Sequence, residues 1–184
     1  MQSYLEIRVP LRMNAGWFAE LRDVVDDALP GVLGRGSVKW QNGFHHITIA
    51  FLDETPVGVD LRPMLERHLK GFPAPVLTFD KVGVFGKRSG GGVIYLTANN
   101  VPESFLTLTK RIREDMEKMG CVIESEFKLH VTLGRVGREA RVGLGDLKRM
   151  VASVEVPAFT LALTDVDYRE FRGRTIYETK LMVK

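Results

Sequence analysis

The sequence predicts an α+β protein of two similar lobes with mainly antiparallel sheets. Three observations lead there. Apolar residues alternate in some segments and recur every third or fourth residue in others, so strands and helices both occur. Their order is mixed and is not a repeated βαβ. The chain also has a two-fold rhythm in which strand, helix and strand each deliver a similar short motif. In order, Leu5, Ile7 and Val9 alternate with polar residues over Tyr4 to Val9, and Pro10 ends that strand. Phe18, Leu21, Val25 and Leu29 mark a helix over about 15–29, capped by Asn14 and stopped by Pro30-Gly31. A short strand around Val38-Lys39-Trp40 precedes the β-branched and aromatic segment Phe44 to Leu52, and a helix over about 60–70 follows. Val76 to Phe85 and Val93 to Leu96 read as a hairpin with Gly90-Gly91-Gly92 at its tip. Pro102 starts an amphipathic helix carrying Phe105, Leu108, Ile112 and Met116, with Gly120 as its stop. Strands at about 121–126 and 128–135, a helix near 144–152, and strands Phe159 to Tyr168 and Thr175 to Val183 joined by Arg172-Gly173-Arg174 complete the chain.

With 184 residues, 45% hydrophobic and 27% charged, the chain can bury a core as a single domain, 1–184, and is neither disordered nor fibrous. Its net charge of +3 and pI near 9.1 favour anionic partners without the surplus of a duplex-DNA binder, so phosphate binding has to be local. Cys121 is the single cysteine, which excludes an internal disulfide and a multi-cysteine metal site and fits a reducing compartment. Glu6 and Arg8 interrupt the stretch a signal peptide would need, and no apolar run has membrane-spanning length. The expectation is a cytoplasmic monomer without membrane contact.

The chain has four histidines. Two of them head the same pattern, His46-Ile47-Thr48-Ile49 and His130-Val131-Thr132-Leu133. On a strand, residues i and i+2 point the same way, so each motif projects an imidazole and a hydroxyl from one face while its apolar residues anchor the other. Two imidazoles suit a reaction that needs a base and an acid together. In-line attack on a phosphodiester is such a reaction: one histidine takes the proton of the attacking water or hydroxyl, the other protonates the departing sugar oxygen, and the two threonines donate to non-bridging oxygens. No metal or cofactor is called for. His45 points away from His46, His68 has no metal-type partner along its helix, and no cysteine cluster exists.

These residues resemble the two-histidine phosphoesterases, and within them the RNA 2′,3′-cyclic phosphodiesterases also called 2′-5′ RNA ligases. Val38-Lys39-Trp40 before His46-Ile47-Thr48-Ile49-Ala50-Phe51-Leu52 is similar to that family's first half, and Phe127-Lys128-Leu129-His130-Val131-Thr132-Leu133-Gly134-Arg135 to its second. Val82-Gly83-Val84-Phe85-Gly86 is similar to its middle. Leu129 stands where the RNA branch usually has proline, and Asp53 where glycine commonly follows the first motif. The resemblance implies two pseudo-symmetric lobes with outer helices around an active-site cleft. It also implies catalytic His46 and His130, phosphate-contacting Thr48 and Thr132, and an RNA end or nucleotide with a cyclic phosphate as substrate. The resemblance extends to 2′-5′ RNA ligation as a reverse activity, and the rival reading is a non-catalytic nucleotide- or RNA-binding module on the same fold.

Arg135 is the next phosphate candidate, although strict alternation sets it opposite His130 and Thr132 unless the strand bends at Gly134. Arg138, Arg141 and the pair Lys87-Arg88 could guide an RNA backbone. Trp40 offers a face for base stacking, with core packing as the plainer alternative.

Overall fold

A computed structural model describes residues 2–12, 15–29, 38–86, 91–140 and 142–183. The expected cap Asn14, the stop Pro30-Gly31, Lys87-Arg88, Gly90 and Arg141 lie outside the described residues. In chain order the elements are β1 (Ser3–Val9), α1 (Gly16–Ala28), β2 (Val38–Trp40), β3 (His45–Glu54), α2 (Arg62–Leu69), β4 (Val76–Phe85), β5 (Gly92–Asn100), α3 (Glu103–Lys118), β6 (Val122–Ile123), β7 (Val131–Val136), α4 (Leu144–Ala152), β8 (Phe159–Ala162), β9 (Asp165–Glu170) and β10 (Thr175–Lys180). Among the described residues no helix is long and apolar enough to cross a membrane.

The strands form one curled sheet in the order β10-β9-β1-β3-β7-β5-β4-β8, and every ladder between neighbours in it is antiparallel. It divides at its middle, because β3 and β7 share only one paired position, Ile47 opposite Val131. On one side lie β3, β1, β9 and β10, covered by α2 and α3; on the other lie β7, β5, β4 and β8, covered by α1 and α4. These are the two lobes. The short strands cross between them: β2, which precedes β3, pairs with β7, while β6, which precedes β7, pairs with β3.

Side-chain alternation explains the layering. Leu5, Ile7 and Val9, with Ile47 and Ile49, face the helices and are at most 3% exposed. In α1, Phe18, Leu21 and Val25 supply the buried stripe, and in α3 Phe105, Leu108, Ile112 and Met116 do the same. Pro102 stands at the N-terminal boundary of α3, where a residue without N–H costs nothing. Gly120, at φ +86°, ends that helix in the left-handed conformation that glycine adopts at least cost. Cys121 is a free, buried thiol.

Several expected strands differ. The strand read over Phe159 to Tyr168 is two strands: β8 pairs with β4 and β9 pairs with β1, so the chain leaves one lobe and joins the other between Ala162 and Asp165. The Leu163 N–H bonds the Pro75 carbonyl and the Leu181 N–H bonds the Thr164 carbonyl, which keeps the crossing hydrogen-bonded. The strand expected over 121–126 shrinks to Val122–Ile123, and β7 begins at Val131, after His130. The intervening carbonyls find side-chain donors instead: Arg113 donates to Ser125, and the Thr97 hydroxyl donates to Leu129 at 2.9 Å.

Candidate active site

The two motifs meet where the lobes meet. Ile47 and Val131, the central residues of the two H-x-T triplets, are the paired position of β3 and β7. Continuing the antiparallel register by one residue each way sets His46 across from Thr132, and Thr48 across from His130. Ile47 and Val131 are fully buried on the helix side, while His46, Thr48, His130 and Thr132 are half-buried on the open face.

Each motif is followed by a β-bulge at the same place. In β3, Leu5 pairs with Ala50 but Glu6 pairs with Thr48, so Ile49 is the extra residue; in β7, Ile94 pairs with Gly134 but Tyr95 pairs with Thr132, so Leu133 is extra. Two consecutive residues therefore point inward, Ile49 and Ala50 in one strand and Leu133 and Gly134 in the other. The bulge resets the alternation. Arg135 consequently returns to the face that carries His130 and Thr132 and lines the same cleft. Arg113 donates from Nη1 to the Ile49 carbonyl at 3.0 Å, and the Gln41 N–H bonds the Leu133 carbonyl at 2.8 Å, so both bulge carbonyls are satisfied.

That cleft has a volume of about 1280 Å³. His130, Thr132, Arg135, Arg138 and Lys128, together with the carboxylates Glu124 and Glu126, form its polar wall, and Phe85 and Tyr95 its aromatic side. The His130 Nδ1–H donates to the Lys128 carbonyl at 2.9 Å, which leaves Nε2 as the free nitrogen. The rings of Phe85 and Tyr95 meet the imidazole edge-on, with centroids at 5.3 and 6.1 Å. Tyr95 can lie there because its neighbour across the ladder is Gly83: a Cβ on Gly83 would stand 2.7 Å from the tyrosine Cζ.

His46 has a different setting. Burial, and next the charge of His130, then His45, Arg135 and Arg169, push its pKa down to about 4. Its Nδ1 lies 3.4 Å from Oε2 of Glu6, a carboxylate with no exposed surface. Burial raises Glu6 to about 7 against the opposing pull of Arg169. Directly across the ladder from Glu6 is Asp167, also buried, whose carboxylate accepts from the Arg8 Nε–H. Arg8 and Arg169 in turn stand over Phe44 at 4.9 and 5.9 Å from its ring centre, and Phe44 and Tyr4 flank the His46 imidazole at 5.7 and 6.0 Å.

Of the predicted site residues, His130, Thr132 and Arg135 line this cleft, whereas His46 and Thr48 of the first motif and Trp40 are not among its lining residues. The Trp40 indole N–H donates to Asp26 of α1 at 2.9 Å, its ring meets Phe18 edge-on, and its face covers Gly134, where a Cβ would come within 2.8 Å of it. Packing of α1 on β2 uses the indole, and Tyr95 and Phe85 are the aromatic groups beside the histidine. His45 is buried away from the cleft and His68 bonds Asp115 of α3 at 2.9 Å. Among the described residues no group of three or more His, Cys, Asp or Glu side chains is arranged to hold a metal ion.

Sequence reasoning missed Glu6, Tyr4, Phe44, Tyr95 and Arg169. In the sequence Glu6 and Arg8 are simply the polar residues that alternate with Leu5, Ile7 and Val9. The available signal was their complement, Asp167 and Arg169, at the same i, i+2 spacing in another strand, but only the β1–β9 register brings the two pairs together.

A family model described as the 2′-5′ RNA ligase superfamily, an enzyme family, matches residues 39–167. An RNA 2′,3′-cyclic phosphodiesterase of Archaeoglobus fulgidus is 31% identical over 113 residues, covering 60% of this chain and 61% of that protein. One of Thermotoga maritima is 29% identical over 94 residues, covering 50% and 49%. The chain thus matches about half to three-fifths of the length of these relatives. The crystal structure of E. coli LigT complexed with NADP+ superposes with a TM-score of 0.55 at 20% identity, covering 98% of this chain and 97% of that one, and so shares the fold. With the family model spanning well over half of its residues, the chain belongs to the 2′-5′ RNA ligase superfamily.

Proposed function

We propose that this protein is a phosphodiesterase that opens 2′,3′-cyclic phosphates at RNA ends or on nucleotides, with His46 and His130 as its acid–base pair and no metal in the chemistry. The observation that carries the reading is the meeting of the two H-x-T motifs at Ile47 and Val131, which turns two sequence-distant imidazoles toward one face. The cyclic phosphate would sit between them. One histidine takes a proton from water as its oxygen attacks phosphorus; the other gives a proton to the ribose oxygen as the P–O bond breaks, so the product is a phosphomonoester beside a free hydroxyl. Thr48, Thr132 and Arg135 donate to the non-bridging oxygens, where negative charge builds in the transition state. Arg138 and Lys128 hold the adjoining phosphates of an RNA chain, and Tyr95 gives a base a face to stack on. With a ribose 5′-hydroxyl in place of water as the attacking group and O3′ as the departing oxygen, the same ring-opening step forms a 2′-5′ linkage.

The names of the archaeal and bacterial relatives support the substrate class. The test is turnover of an RNA oligomer ending in a 2′,3′-cyclic phosphate, in EDTA, with the product resolved from both isomeric phosphomonoesters. The expected result is one monophosphate isomer at a rate the chelator leaves unchanged. Tight binding without turnover would favour a binding module, and activity restored only by added zinc or magnesium would overturn the metal-free mechanism.

A further inference from the structure

The two lobes repeat the histidine motif but surround it differently. Aligned by ladder position, Glu6 of β1 opposite Thr48 corresponds to Tyr95 of β5 opposite Thr132, and Asp167 of β9 corresponds to Gly83 of β4. One histidine therefore has an aromatic ring and a backbone carbonyl for company, and the other has a buried carboxylate. That carboxylate is costly. Neither oxygen of Glu6 has a hydrogen bond of good geometry among the described residues, and the same is true of the buried His46 Nδ1 that faces it at 3.4 Å. A carboxylate with no exposed surface and no full partner is destabilising to the fold and calls for an explanation in function.

We propose that Glu6 is the positioning residue of His46: it holds Nδ1, fixes the imidazole so that Nε2 faces the substrate, and makes the Glu6–His46 pair the group that delivers a proton to the departing oxygen. This rests on the phosphodiesterase reading above and assigns the acid within it. When the pair holds its extra proton, that proton is either on Glu6, with Nδ1 accepting it, or on Nδ1, with Glu6 as carboxylate. Either way Nε2 carries a hydrogen. When Nε2 gives this hydrogen to the leaving ribose oxygen, a proton remains on Nδ1 facing an ionised Glu6, and the pair has lost one proton in all. Solitary His46 would be a poor acid, because burial above all, reinforced by the cations Arg135 and Arg169, holds it unprotonated at neutral pH. The carboxyl titrates near 7, so the pair retains a proton where the imidazole alone would not. The groups that face it are Tyr4 and Arg8 on its own strand, His46 on β3, and Asp167 and Arg169 on β9, with Arg169 Nη1 3.8 Å from Oε1. His130, whose Nδ1 is tied to a carbonyl and whose Nε2 is free, is left as the base.

The experiment compares wild type, Glu6→Gln and Glu6→Asp by pH profile and by ¹⁵N NMR of labelled histidine. Glutamine preserves size and can accept from Nδ1–H but cannot hold the extra proton. With RNA 2′,3′-cyclic phosphate as substrate, Glu6→Gln is expected to lower kcat/KM at pH 7.5 by about 10-fold or more through kcat, with KM little changed, and to move the alkaline limb to lower pH by at least about one unit. Glu6→Asp should recover part of both. A Glu6→Gln profile superimposable on wild type would overturn the proposal and leave the phosphodiesterase reading intact. The NMR arm reads the pair without turnover. In wild type above pH 8 His46 should be the Nδ1–H tautomer with a bare Nε2; an Nε2–H tautomer there would overturn the proposal even if the variants failed to fold. If the wild type lacked activity yet showed the Nδ1–H tautomer and a titration lost in Glu6→Gln, the pair would stand and the substrate reading would fall.

Discussion

Glu6 and His46 illustrate how a pair can titrate in a fold with little net effect on stability. Glu6 is raised from 4.5 to about 7, so its folded form binds more protons than the unfolded chain in that interval, and its contribution to stability falls as pH rises through it. His46 is lowered from 6.5 to about 4, so there the unfolded chain binds more protons, and stability rises with pH across that interval. Between about 4.5 and 6.5 the two slopes oppose each other. Replacing Glu6 with glutamine removes one slope and leaves the other. Measured by urea unfolding, Glu6→Gln should gain stability relative to wild type as pH climbs from 4.5 to 6.5, by up to about 1.4 kcal/mol per pH unit. Parallel stability curves for the two proteins would contradict a raised Glu6 carboxyl in the folded protein. At this scale the histidines and threonines were legible because a repeated H-x-T is a local pattern. Glu6 was not, because its burial comes from Tyr4 beside it, His46 one strand away and Asp167 on the other, contacts made by residues far apart in the chain.

The bulged strand is the element that matters most. Without the extra residue in β7, Arg135 would follow the alternation onto the helix side; with it, Arg135 joins His130 and Thr132 on the cleft. Gly134 is the residue that makes the bulge compatible with its neighbour strand. A Cβ there would stand 2.8 Å from Cε3 of Trp40 and 3.1 Å from Cγ1 of Val38, both on β2. Gly134→Ala should therefore push β2 off β7, cost roughly 1–3 kcal/mol and lower kcat/KM by displacing Thr132 and Arg135. Thermal melts and steady-state kinetics check this; an unchanged Tm with unchanged kinetics would show that β2 accommodates the methyl and that the bulge does not depend on glycine. Most elements could be read from periodicity, and Val76 to Phe85 was read to its ends. The two that could not were Val122–Ile123 and the β8–β9 division, where pairing with a distant strand, and not local pattern, decides where a strand stops.

In the whole molecule the repeat is reciprocal. β1, α1, β2, β3 and α2 correspond in order to β5, α3, β6, β7 and α4, yet β2 and α1 serve the second lobe while β6 and α3 serve the first. Neither half of the chain completes its own lobe, which ties the halves together across the β3–β7 seam. The two-fold rhythm was visible in the sequence; the exchange was not, since it depends on long-range ladders. A scaffold of this symmetry sets His46 and His130 on the same open face of neighbouring strands, and the buried carboxylate that only His46 has beside it is what the proposed division between acid and base rests on. The central claim is that the two histidines act in one chemical step on one phosphate. Comparing kcat/KM of His46→Ala, His130→Ala and the double variant on cyclic-phosphate RNA tests it most directly. Each single change should cost roughly 10²–10⁴-fold, and the double change little more than the worse single one. Near wild-type activity in either single variant, or a double loss equal to the product of the two, would contradict it.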